Sequence, residues 1–155
     1  MSQGGRQQLE QIVEAIEEIE AEQDDIRSEI DAHNLEQDAI EDAIEAIESL
    51  ETDETVQVPL GGGAHVRAQI ADIEEIIVEI GNGYAAERDA EGAVETLELK
   101  LEAHDDRIDE LNADIEALDE ESDELEQRAQ QLQQQLQQQQ MQQQMQQQQA
   151  GESDE

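Results

Sequence analysis

Apolar residues recur along this chain in alternating steps of three and four. In the first third they fall at Leu9, Ile12, Ile16, Ile19, Ile26, Ile30, Ile40, Ile44 and Ile47, with Gln23, His33 and Gln37 filling the remaining positions of the stripe. The last third repeats the pattern at Val94, Leu97, Leu101, Ile108, Leu111, Ile115, Leu118, Leu125, Leu132 and Leu136, with His104, Ser122 and Ala129 in phase. A mean step of 3.5 residues keeps one narrow stripe facing a partner helix, the sequence condition for a left-handed coiled coil. Two helices of nearly equal length are therefore predicted, over residues 9–50 and 93–136. At about 1.5 Å per residue each makes a rod of roughly 60 Å.

Between them the period changes to two. Val56, Val58 and Leu60 share one face, Gly61, Gly62 and Gly63 turn the chain, and alternation resumes through Ala64, Val66, Ala68 and Ile70. A second hairpin follows after Ala71 to Glu74: Ile76, Val78 and Ile80 alternate with Glu75, Ile77 and Glu79, and Gly81-Asn82-Gly83 leads into a strand from Tyr84 to about Arg88. Glycines that adopt positive φ at such turns are the usual mark of a hairpin. Four short strands over residues 55–88 cannot bury one apolar face alone, and their open edges invite pairing with another chain. The predicted fold is thus α+β, mainly α: an antiparallel coiled-coil hairpin of two long helices joined by two central β-hairpins that serve assembly.

Equal helix lengths suggest a register. With Ile47 opposite Val94, the layers run Ile44 with Leu97, Ile30 with Leu111, Ile16 with Leu125 and Leu9 with Leu132. That alignment sets Gln37 against His104 and keeps His33 away from His104. At the free end, Leu9, Ile12, Val13, Ile16 and Ile19 meet Leu125, Leu132 and Leu136, with Met141 and Met145 beyond. Seam residues hold the coil together, but Val13 lies beside the seam and Met adapts to varied apolar partners. A fraying end would expose its seam as a binding surface. Residues 1–8 read as frayed; residues 137–155, Gln-rich and then acidic, read as a flexible tail, with extension of the helix as the alternative that the fair helix propensity of Gln allows.

Composition adds the solvent. The 155 residues are expected to form one domain; they carry 44 acidic against seven basic side chains, a formal charge of −37, with no Trp, Phe or Cys and one Tyr. Such charge usually signals disorder, but the sustained heptads argue for a concentrated-salt cytoplasm instead, where the Debye length falls to about 3 Å at 1 M. Too few cations remain to neutralise phosphates, so nucleic acid is not an expected partner. No apolar run approaches the roughly 20 residues needed to cross a bilayer, so no membrane association is expected.

No chemistry stands out. Without cysteine there are no disulfides, thiolate zinc sites or cysteine nucleophiles. His33 and His104 occupy the seam and His65 the polar face of a strand, without the convergent ligands a metal needs. The triple glycine lacks the Lys-Ser/Thr of a phosphate loop. The carboxylates are so numerous that close pairs occur by chance, and they lie on solvated helix faces. The chain is read as neither an enzyme nor a cofactor carrier.

The order helix, two hairpins, helix, with TVQVPLGGGAHVRAQI and IIVEIGNGYAAER between the coils, closely resembles the archaeal prefoldin alpha subunit family over about residues 9–136. Two hairpins distinguish this class from the single-hairpin beta class. The resemblance implies an ATP-independent holdase in which two alpha and four beta subunits join their hairpins into a double β-barrel platform. Coiled-coil tips then hold unfolded polypeptide for delivery to a group II chaperonin. It implies platform roles for Val56, Val58, Leu60, Val66, Ile70, Ile76, Val78, Ile80 and Tyr84, and client contact at the end residues named above. The alternative is a structural scaffold, or a prefoldin-like subunit of another complex, binding one defined partner.

Overall fold

The structure, a computed structural model, describes residues 2–152. It runs α1 (Ser2–Ser49), β1 (Thr55–Gly61), β2 (Ala64–Gln69), β3 (Ile76–Gly81), β4 (Tyr84–Arg88) and α2 (Ala90–Glu152). Contacts divide the chain into two units: Ile30–Asp109, which holds both hairpins, and the residues up to Glu29 together with those from Glu110. Met1 and residues 153–155, the end of the acidic tail, lie outside the described residues.

Every seam position named from the heptads is buried or half-buried, and most positions between them are exposed. The helix ends differ from expectation, each for a local reason. α1 starts at Ser2 rather than near Leu9, because Leu136 lies against its first turns. A Cβ on Gly5 would stand 2.6 Å from Leu136 Cδ2, so the absence of a side chain there lets the helices meet. α2 starts at Ala90 rather than Ala93: the Asp89 carboxylate accepts the Gly92 N–H at 2.7 Å, an N-cap, while the Asp89 carbonyl accepts from the Ala93 N–H at 2.8 Å. Glu74 adds a carboxylate that accepts the Ala90 N–H at 3.3 Å, a favourable charge at a helix N-terminus. Asp89→Ala is expected to cost about 1 kcal/mol, read from denaturant unfolding in molar KCl; Asp89→Asn should restore most of it. The Gln tract, expected to be flexible, continues α2 as helix with every residue from 137 to 151 exposed.

The register also differs from expectation. In the hairpin-bearing unit His33, not Gln37, meets His104, with Nδ1 to Nδ1 at 2.8 Å and ring centroids 5.0 Å apart. Gln37 Nε2 instead donates to Asp105 Oδ1 at 2.6 Å and to the Leu101 carbonyl at 3.4 Å. The other unit has the same device. Gln23 Nε2 donates to Asp119 Oδ1 at 2.6 Å and to the Ile115 carbonyl at 3.1 Å. The two bridges stand two heptads apart on each helix. A slip of half a heptad maps an apolar stripe onto itself, so the stripe is indifferent to register; the polar seam residues are not, because a buried amide without a partner is costly. Among the described residues no buried side-chain nitrogen or oxygen is left without a hydrogen bond.

Each hairpin is its own two-stranded antiparallel sheet, β1 with β2 and β3 with β4. Both turn through two residues at positive φ, Gly62-Gly63 and Asn82-Gly83, with a bulge at Gly61 and Gly81. Val56 pairs with Ala68 and Val58 with Val66. The β1–β2 ladder continues into the linker through Asp53 N–H to the Ile70 carbonyl and Ile70 N–H to the Glu54 carbonyl. Thr52 Oγ1 accepts from the Ile73 N–H at 3.1 Å and so joins the two linkers. The core of this unit is Ile40, Val78, Ala93 and Leu97, packed by Ile44, Ile47, Ile76 and Leu101. Only the second hairpin contributes to that core. Lys100 secures it further, its Nζ donating to the Glu79 carbonyl at 3.1 Å.

Candidate functional site

Exposed apolar side chains gather on two surfaces, while Leu35 and Leu99 stand singly on the helices. The first is the pair of hairpins. Val58, Leu60, Val66, Ile80 and Tyr84 are exposed, and Val56 and Ile70 half-buried. Val78, expected on the assembly face, is only 6% exposed and belongs to the chain's own core, with half-buried Ile76 beside it. Alternation reverses their neighbour: Ile77 is 75% exposed on the opposite face of β3. The sequence reading passed over Ile77, although the run Ile76-Ile77-Val78 signals a strand apolar on both faces. The outer strand edges are unpaired as well, so both hairpins present backbone groups and apolar side chains together.

The second surface lies at the helix ends. Ile19 is buried, and Leu9, Ile12, Ile16, Leu125, Leu132 and Leu136 are half-buried in the seam. Between the helices runs a groove of about 430 Å³, floored by Ile12, Ala15, Leu125 and Leu132 and rimmed by Gln8, Gln11, Gln131, Gln135 and Arg128. Ile12 therefore lies at the level of Leu125, where the expected register had placed Ile16. Val13, 47% exposed, lies outside this groove in a shallower one of about 280 Å³ with Leu9, Glu10, Glu14 and Glu17. Met141 and Met145 are exposed on a part of α2 beyond the groove. Each follows a seam leucine, Leu132 or Leu136, by nine residues, which at 3.6 residues per turn places it roughly 180° around the helix. They do not extend the seam stripe.

Among the described residues no group of three or more His, Asp or Glu is placed to hold a metal ion, and no helix is long and apolar enough to cross a membrane. What the geometry offers is contact area: paired helices ending in an apolar groove, and hairpins with open edges. These are the features of a coiled-coil protein with two β-hairpins between its helices. The family model described as "Prefoldin subunit" matches residues 19–135, and the chain belongs to this family of chaperone subunits. It is 53% identical over 110 residues to a prefoldin subunit alpha of Halorubrum lacusprofundi, covering 71% of this chain and 72% of that one. With the alpha subunit of Haloarcula marismortui the identity is 49% over 67% and 68% of the two chains. The fold is similar to a solved structure of filamentous PFD from Methanocaldococcus jannaschii, with TM-score 0.53 and 24% identity over 77% of this chain and 95% of that one.

Proposed function

We propose that this chain is the alpha-type subunit of a cytoplasmic, ATP-independent holdase, joining beta-type subunits through its hairpins as two alpha and four beta, and holding unfolded polypeptide at the coiled-coil ends for a group II chaperonin. The observation that carries the reading is the groove over Ile12, Leu125 and Leu132, an apolar floor left open between paired helices. Exposed Leu60, Ile77 and Tyr84 support assembly through the hairpins. Holding requires no bond to be made or broken. Several weak apolar contacts from separate subunits act together through effective concentration, which compensates for shallow individual sites.

The reading is tested by assembling the chain with a beta-type partner in molar KCl and adding several unrelated, salt-tolerant proteins from denaturant. Light scattering should fall for all of them without ATP. Activity toward a single folded partner, with no suppression of aggregation, would replace the holdase by a scaffold.

A further inference from the structure

Charge is distributed very unevenly over this molecule. Residues 1–9 and 127–150 contain no Asp or Glu but include Arg6 and Arg128, in a chain that otherwise carries 44 carboxylates. These two stretches supply much of the open groove, and none of its lining residues is acidic. The shallower groove on the neighbouring flank has three glutamates among its five lining residues. Among the described residues neither Arg6 nor Arg128 is held in an ion pair, whereas Arg27 in the same unit is paired with Asp24.

Resting on the holdase reading, we propose that the groove is selective for acidic unfolded polypeptide: extended segments in which aliphatic side chains alternate with Asp or Glu. Aliphatic groups seat on Ile12, Leu125 and Leu132. The side-chain amides of Gln8 and Gln131 each offer a donor and an acceptor, which suits the peptide backbone of any sequence. Arg128 on the rim meets a carboxylate. In concentrated salt the screening length is about 3 Å at 1 M, so only contact partners discriminate. A local gap in the acidic surface then matters more than the net charge of −37. An acidic segment lying here meets no like charge from the groove, while the same segment on the Glu10, Glu14 and Glu17 flank meets three.

The test uses the full chain assembled with its beta-type partner in molar KCl and three labelled unfolded peptides. All three share the same aliphatic positions and differ only in spacers: Asp/Glu, Ser/Gln or Lys/Arg. Fluorescence anisotropy should give the acidic peptide an affinity about two- to fivefold above the basic one, the span of one exposed ion-pair contact. Arg128→Gln should bring the acidic peptide to the neutral one's affinity and leave the neutral one unchanged. Arg128→Glu should invert the order, and Glu14→Gln on the other flank should leave it intact. Equal binding of all three peptides, or preference for the basic one, would overturn the proposal while leaving the holdase standing. Binding of none would remove the holdase reading and this proposal with it.

Discussion

Truncating Leu111 to alanine is expected to destabilise the chain by about 2–5 kcal/mol, the range for emptying a packed leucine site. Leu111 is 2% exposed, the largest fully buried side chain among the described residues. The helices have little other core to redistribute, since only six apolar side chains among the described residues are buried. Leu99→Ala is the matched control: the same atoms are removed from a side chain that is 65% exposed, and a change within about 0.5 kcal/mol is expected. The comparison is made by denaturant unfolding followed by circular dichroism in molar KCl. Equal losses for the two variants would mean that the seam does not hold the helices together.

The second large effect is that of salt. Glu10, Glu14, Glu18 and Glu22 form a ladder of like charges four residues apart on α1, and Glu116, Glu120 and Glu124 do the same on α2. Each such pair costs roughly 0.2–0.5 kcal/mol when unscreened, and the ladders recur along helices that cover only a narrow apolar stripe. Nor do internal ion pairs offset them, for seven basic side chains face 44 acidic ones. Below about 0.1 M salt the Debye length exceeds 10 Å, and repulsion then reaches across both helices. Helical ellipticity and assembly mass should therefore fall steeply as KCl is lowered from molar to tens of millimolar. Retention of both in dilute buffer would show that the seam outweighs the charge without help from the solvent.

How far the sequence carried depended on what each pattern measures. A 3.5-residue stripe reports which side chains face a partner, so the seam from Leu9 to Leu136 was legible residue by residue. It cannot report the layer in which two helices meet, and the half-heptad difference at His33 and His104 became visible only with hydrogen-bond partners in place. Alternation identified all four strands, yet it separates two faces without saying which is covered; hence Val78 was expected outside and is inside, while Ile77 was passed over. Asp89-Ala90-Glu91-Gly92 resembled a loop because its glycine stands in the first turn, although an aspartate three residues before a glycine N–H is also a cap. Met141 and Met145 were expected beyond the seam residues as contacts at the coil end, and their nine-residue offset places them on the far side of α2 from the seam. The Gln tract has fair helix propensity and no stripe, so neither periodicity nor charge could decide its state.

Client capture at the coiled-coil ends is tested most directly by comparing the complete assembly with one whose alpha-type chain lacks residues 1–19 and 125–155, in molar KCl, against an aggregating salt-tolerant client. The truncated assembly is expected to keep its hexamer mass and lose suppression of aggregation. Full suppression by a truncated hexamer would contradict a client site in the groove of Ile12, Leu125 and Leu132.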